Sequence, residues 1–580
     1  MPTPYDLIIR GGTIADGKGS PLIEGDVAVA DGRIAAVGKV GGSGREEIDA
    51  RGLLVAPGFV DIHSHYDGQV IWDDRLLPSG WHGVTTTVMG NCGVGFAPVR
   101  STDHELLVEL MEGVEDIPGA VLREGLTWEW SSFPEYLDAV ARRPHDLDVC
   151  AQLPHSALRV FVMGKRAARR EAATADDIAE MRRISADAMR AGALGFSTSR
   201  SKNHRTATGD LIPSMGAEES ELTGIAKGLT DAGRGVLQVF IDPEPNQASR
   251  DAEFKLVRRM VEESGRPLSL TVLQRIRDPE GWRPMMAMLE SLAAKGLPMH
   301  AQVIPRPLGT LFGLDMPRNP FCFHPSFRAI DDEPLERKVA IMRDPAFRKK
   351  LLSERSAGSD ERSISRVLNF DYMFPFGNPP DYAPPPERSI AALAQAQGRT
   401  PFDVAYDCLM EDDGHAILFA PNSGFGNHSL DGCREIMENP LSVIAVSDGG
   451  AHVSHISDVS FSTFLLTYWG RDRPQGKLDL SWLVKRMTGD TAAVVGLHDR
   501  GVLAPGYKAD INVIDLGRLQ LERPYMTHDL PQGAKRLLQR ARGYVATILS
   551  GVAVYREGEA TGALPGKLVR GAQPRPKAHD

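Results

Sequence analysis

His63 and His65 stand one residue apart in "GFVDIHSHYDG", directly after the apolar run "LLVAPGFVD". In an extended strand, residues i and i+2 point to the same side, so two imidazoles leaving a buried strand at this spacing converge. Each offers a neutral nitrogen to a divalent cation, zinc first, at about 2.0–2.1 Å. The alternative is a pair of solvated histidines where a strand stops, and the buried run before them argues against it. Near the other end, "SVIAVSDGGAH" carries an apolar strand into Asp448. A carboxylate there could bind the cation and accept a proton from water that the cation acidifies. It could also simply begin a turn, as Asp before Gly often does. His452, four positions on, could hydrogen-bond substrate or orient a ligand.

Two basic features could choose a substrate. "TSRSKNHR" brings Arg200, Lys202, His204 and Arg205 together, and Arg306 follows an apolar run in "QVIPRP". Arginine suits bidentate recognition of a carboxylate; a solvated basic loop is the plain alternative. No GxSxG elbow, GxxxxGK[ST] phosphate loop or paired CxxC competes with the histidine pair.

The stretches "PGFVDIHSH", "GVTTTVMGNCGVGFAPV", "LMEGVEDIPG", "ALGFSTS", "SDGGAH" and "DRGVLAPGYKADINVID" together resemble the amidohydrolase superfamily, and within it the N-acyl-D-amino-acid deacylase (D-aminoacylase) branch. The resemblance spans nearly the whole chain. It implies a metal centre served by the HxH after barrel strand one, a cysteine after strand two and an aspartate after strand eight, which fall on His63, His65, Cys92 and Asp448. Cys92 makes independent sense, since a thiolate binds a divalent cation tightly and the glycines of "GNCGVG" let the backbone come close. Members that deacylate D-amino acids take two further histidines from strands five and six. Here those stretches read "VLQVFID" and "SLTVLQR", with Gln238 and Gln274 in the neighbourhood. One zinc ion is therefore expected, held by His63, His65, Asp448 and Cys92, with His155 in reserve and a second site doubtful.

These residues need a scaffold that brings strand ends together. "TADDIAEMRRISADAMRAGALGFSTS" starts at the N-cap candidate Thr174, runs apolar at helical spacing, stops at Gly192 and enters a strand. "EFKLVRRMVEESGRPLSLTVLQ" and "MMAMLESLAAKGLPMHAQVIP" repeat the plan, which is that of parallel strands with crossover helices. We expect an α/β fold, a (β/α)8 TIM barrel over residues 56–494, with strands ending near His63, Asn91, His155, Thr198, Ile241, Gln274, Pro305 and Asp448. His300 begins its strand and is expected at the opposite face. "HAILFAPNS" (415–423) is a ninth strand candidate without a place. It belongs to a Pro-rich stretch, about 310–430, read as an insertion over the open end and a candidate lid. Residues 1–55 and 495–580 read as short strands with "DG" turns, and the two termini are expected to form one small β-sandwich.

The 580 residues are 42% hydrophobic and 24% charged, enough for a sizeable core. A net charge of −10 leaves no basic field for nucleic acid or an anionic membrane, so neither partner is expected. The start lacks a secretory signal and five scattered cysteines are no disulfide framework, so a cytoplasmic setting is expected; oligomeric state is not legible. The combined reading is a metal-dependent hydrolase of an amide-type C–N bond in a small molecule, with Asp448 as general base and His155, Arg200, His204, Arg306 and His452 as substrate-binding candidates. An N-acyl (D-)amino acid is the first expectation; a cyclic amide, a carbamate, a urea, or a scaffold without catalysis are the alternatives.

Overall fold

The helix Ala175–Ala191 shows how the sequence builds its repeating unit. Thr174 accepts the backbone N–H of Asp177, and the Asp177 carboxylate accepts the N–H of Thr174, a reciprocal cap. Met181, Ile184, Ala188 and Met189 bury one face, and Gly192 closes the helix at φ +113°. The chain then enters a fully buried strand.

The computed structural model describes residues 5–243, 246–358, 364–365 and 367–577. Eight parallel strands pair in sequence order: β1 (Phe59–Asp61), β2 (Val84–Met89), β3 (Asp148–Pro154), β4 (Gly195–Arg200), β5 (Val236–Ile241), β6 (Leu268–Thr271), β7 (Met299–Val303) and β8 (Ser442–Ile444). Each ends within four residues of its expected position. The first and last strands meet just past their regular ends, where Ser64 and Gly449 bridge in parallel and the N–H of His65 donates to the Gly449 carbonyl at 2.6 Å. The expected (β/α)8 barrel is therefore closed, and it is closed at the histidine pair.

"HAILFAPNS" lies outside the barrel. Its strand Leu418–Ser423 pairs antiparallel with Leu308–Phe312 and Phe374–Pro375 in a separate three-stranded sheet. Phe312, Phe321, Phe327, Tyr406 and Leu409 pack in a core of their own beside it. This unit rests on the loops that follow β6 and β8: Gly424 N–H donates to the Gln274 carbonyl and Leu311 N–H to that of His455.

Strands from both ends of the chain combine in one nine-stranded sheet. Its centre pairs Leu54–Pro57 antiparallel with Ile511–Ile514, flanked by Tyr5–Ile14 on one side and Tyr544–Leu549 on the other. Leu7, Ile9, Val27, Val513 and Ile548 form its core. Beyond this sheet the chain returns to the foot of the barrel, where the Val149 N–H on β3 donates to the Lys567 carbonyl and the Val149 carbonyl accepts from the Val569 N–H. There Asp148 takes Arg500 at 2.7 Å and Lys508 at 2.9 Å, a buried ion cluster joining barrel and terminal sheet.

Candidate metal centre

His63, His65, Cys92 and Asp448 all leave C-terminal strand ends and are drawn into one place. The loop carrying Cys92 runs against β4 so closely that a Cβ on Gly93 would stand 2.9 Å from the Thr198 Cα. A Cβ on Gly450, which adopts φ +86°, would likewise stand 2.9 Å from the His65 carbonyl oxygen. Cys92, Val446, Asp448 and His452 themselves adopt positive φ, between +50° and +68° except for Asp448 at +49°. Such backbone costs about 1–3 kcal/mol per residue and persists where surroundings over-determine it. Four of these residues lie in the two loops that frame the centre.

The ligand atoms face one another. His63 Nε2 lies 3.6 Å and His65 Nε2 3.7 Å from Asp448 Oδ1, and Cys92 Sγ lies 3.3 Å from His63 Nε2. His63, His65 and Cys92 offer nitrogen, nitrogen and sulfur atoms mutually within 4.8 Å, all buried. Ligands at about 2.0–2.3 Å from a tetrahedral ion stand roughly 3.3–3.8 Å apart. The spacing and the donor set both suit a zinc-like cation.

Each imidazole is also held from behind. His63 Nδ1 meets Gln302 Oε1 at 2.6 Å, and Gln302 passes its own amide N–H to Ser269. His65 Nδ1 faces the buried Glu115 at 3.4 Å, without hydrogen-bond alignment. The Nε2 atoms are thus left for the centre. Burial pushes the Glu115 carboxyl well up, with Asp448 and Asp67 adding to it. Burial lowers His65 to about 4 and raises the Cys92 thiol far above its usual range. Burial would also raise Asp448, but the imidazoles of His65 and His63, with His452 behind, hold its carboxyl below the ordinary range.

Of the other sequence candidates, two face this centre. His452 lies 3.9 Å from Glu115 and its backbone N–H donates to the Glu115 carbonyl. His204 stacks on Phe240, its buried Nδ1 has no hydrogen-bond partner, and burial together with the charges of His65 and His452 lowers it to about 3. Three candidates are occupied elsewhere. His155 spends both ring nitrogens on Thr198 and Glu221, which removes it as a reserve ligand. Arg200 grips Glu253. Arg306 is fully buried, pairs with Asp458 at 3.1 Å and lies over the Tyr382 ring, so its charge is already compensated, although its Nε has no partner.

Gln238 and Gln274 are likewise spent. Gln238 accepts the Cys92 N–H and faces Thr271 on β6. Gln274 turns outward, accepting from Gly426 and donating to the Pro279 carbonyl. Glu115 and Gln302 escaped the sequence reading. Glu115 lies inside the quoted stretch "LMEGVEDIPG", and Gln302 is a lone polar residue in an otherwise apolar strand.

Comparison with known proteins gives a consistent placement. N-acyl-D-aspartate deacylase of Alcaligenes xylosoxydans xylosoxydans is 27% identical over 570 residues, covering 98% of this chain and 95% of the relative. A structure of D-aminoacylase described by its binuclear metal centre superposes with TM-score 0.65 at 24% identity, covering 98% of this chain and all of the other. N-acyl-D-glutamate deacylase from Bordetella bronchiseptica, complexed with zinc and a phosphonate inhibitor, gives TM-score 0.64 at 23% identity with the same coverage. Residues 46–555 match the amidohydrolase family, and the chain belongs to it.

Proposed function

We propose that this protein hydrolyses the amide bond of an N-acyl amino acid of the D series, with His63, His65, Cys92 and Asp448 holding one zinc ion. Hydrolysis of an amide-type C–N bond is the activity of its family relatives. The observation that supports the ligand assignment is that His63 Nε2 lies 3.3 Å from Cys92 Sγ and 3.6 Å from Asp448 Oδ1, with His65 Nε2 3.7 Å from that same carboxylate oxygen. A cation bound there would polarise the amide carbonyl and acidify water.

The chain's own residues supply the rest. Asp448, ionised through the neutral range, accepts the proton of the attacking water and delivers it to the leaving nitrogen. Gln302 keeps the His63 Nε2 turned inward, and the Glu115 carboxyl faces the far nitrogen of His65. His204, neutral and with an unpartnered ring nitrogen, offers the substrate a hydrogen bond, and His452 stands at the rim beside Glu115. A single ion is proposed because Gln238 and Gln274, near the ends of β5 and β6, are engaged in other bonds and offer no imidazole to a second cation. The D series is supported by N-acyl-D-aspartate deacylase, which matches over nearly its whole length.

Metal analysis and a panel of N-acyl D- and L-amino acids test the proposal together. The expected outcome is close to one zinc per chain and hydrolysis confined to D substrates. Asp448→Asn should lower kcat by roughly 10²–10⁴-fold with the fold retained. A metal-free protein that still turns over substrate, or full turnover by the asparagine variant, defeats the assignment.

A further inference from the structure

A cavity opens beside Asp448, and one of its walls comes from far along the chain. Leu77, Pro78, Val453, Ile456, Leu537 and Leu538 supply its apolar lining, with Asp448 itself in the wall. Leu537 and Leu538 end the second strand of a hairpin in which Tyr525–Leu530 pairs antiparallel with Ala534–Leu538. The hairpin belongs to the C-terminal part of the chain, yet it is fastened across the barrel mouth. The Leu537 N–H donates to the Val453 carbonyl at 2.6 Å, on the loop that follows β8. Lys535 Nζ reaches the Asp315 carbonyl of the insertion at 2.7 Å. The turn Pro531–Gly533 packs on helix Gly119–Gly125, just after Glu115 in the chain. Behind the wall, Leu77 and Leu538 pack with Trp81, Leu549 and Tyr555, so it rests on the terminal sheet.

Charge and apolar area decide what this cavity can take. Asp458, in its lining, pairs with Arg306 at 3.1 Å, and Arg536 is held by the two oxygens of Asp529 at 2.7 and 2.8 Å. Gln69 and Ser457 are neutral, and Ser457 Oγ is buried without a partner. A carboxylate entering here would lose its water, meet Asp448 and find the lining cation already taken, whereas an alkyl group gains with every methylene it buries. On the reading above, Asp448 returns a proton to the leaving nitrogen, so the group that extends past it into the cavity is the one borne by that nitrogen. We propose that Leu537 and Leu538 are specificity-determining residues, and that the hairpin Tyr525–Leu538 walls a pocket for an uncharged aliphatic side chain of the amino acid released. This rests on the amide-hydrolase reading and names the side chain which that reading leaves open.

The test follows ratios of kcat/KM on the zinc-loaded enzyme, which a general loss of fold or metal would not move. N-acetyl-D-leucine should exceed N-acetyl-D-alanine roughly hundred-fold, and N-acetyl-D-aspartate by more. Leu537→Ala should cut the leucine-to-alanine ratio about ten-fold, and Leu537→Met should restore most of it. A ratio untouched in Leu537→Ala, aspartate hydrolysed as fast as leucine, or a change confined to the ratio of N-butyryl- to N-acetyl-D-alanine, which reads the acyl side, overturns the proposal. Should none of these compounds be turned over, calorimetric binding of N-acetyl-D-leucine and N-acetyl-D-alanine separates the two ideas. A preference for leucine that fades in Leu537→Ala upholds the pocket while the hydrolase reading falls. Binding that is absent, or a preference that is missing or unaffected by the variant, overturns the pocket itself.

Discussion

At the scale of single residues, the centre depends on which nitrogen each histidine presents. A ligating imidazole needs its far nitrogen bonded to a fixed partner, or its near one cannot stay bare and aimed. In the proposed centre Gln302 would fill that role for His63, so Gln302→Leu should weaken zinc binding about 10–100-fold without unfolding the barrel, read by competition with a chromogenic chelator. Unchanged affinity would show that the 2.6 Å contact is incidental. His63, His65 and Asp448 were legible because each follows an apolar strand whose last residues fix where a side chain points. Cys92 came from family resemblance. Arg200 and Arg306 misled because their partners, Glu253 and Asp458, lie 53 and 152 positions away and nothing local announces them.

At the scale of elements, the strands were readable because helix, glycine and apolar run recur with little variation. Their closure was less so, for β1 and β8 are three residues each. The seam between them is completed by side chains: Ser447 Oγ lies 2.5 Å from Asp61 Oδ2 and 3.0 Å from the His63 carbonyl, and accepts the Gly449 N–H. Asp61 is buried, which pushes it up to about 7 even though Ser447 and the His63 N–H favour its charged form. Ser447→Ala strips one of those bonds from a buried carboxyl and should lower stability by about 1–3 kcal/mol, with zinc content falling in parallel. Denaturant unfolding curves that overlay those of the parent would exclude a role in the seam. "HAILFAPNS" resisted placement because a strand in a three-stranded antiparallel sheet and a buried barrel strand share the same apolar texture.

At the scale of the molecule, the barrel and the terminal sheet are joined through buried polar contacts. Another buried polar contact, at His82, ties the barrel to the chain just after the strand Ala534–Leu538. His82 lies after β1, and its ring reaches Thr463 at 2.9 Å and the Gln539 carbonyl at 3.0 Å. Burial lowers it to about 4 although the carbonyl bond works the other way. The unfolded chain binds the proton more readily, so the stability tied to the neutral ring is complete above about pH 6.5 and is lost as pH falls toward 4. The advantage of the parent over His82→Asn in unfolding free energy should therefore shrink between pH 7 and pH 4, by on the order of 3 kcal/mol. A gap that stays constant with pH would dismiss this contribution. Long-range links of this kind leave no trace in local spacing, which is why the meeting of the two termini was readable from strand texture and the polar contacts between the units were not.

The antiparallel pairing of Leu54–Pro57 with Ile511–Ile514 has a consequence for biosynthesis. Leu54–Pro57 must wait for more than four hundred further residues to be synthesised before its own sheet can be finished. Immediately downstream of that waiting strand comes the histidine pair. A chain interrupted anywhere before the 510s would lack the strand that pairs with Leu54–Pro57 and leave the sheet next to the histidine pair unfinished.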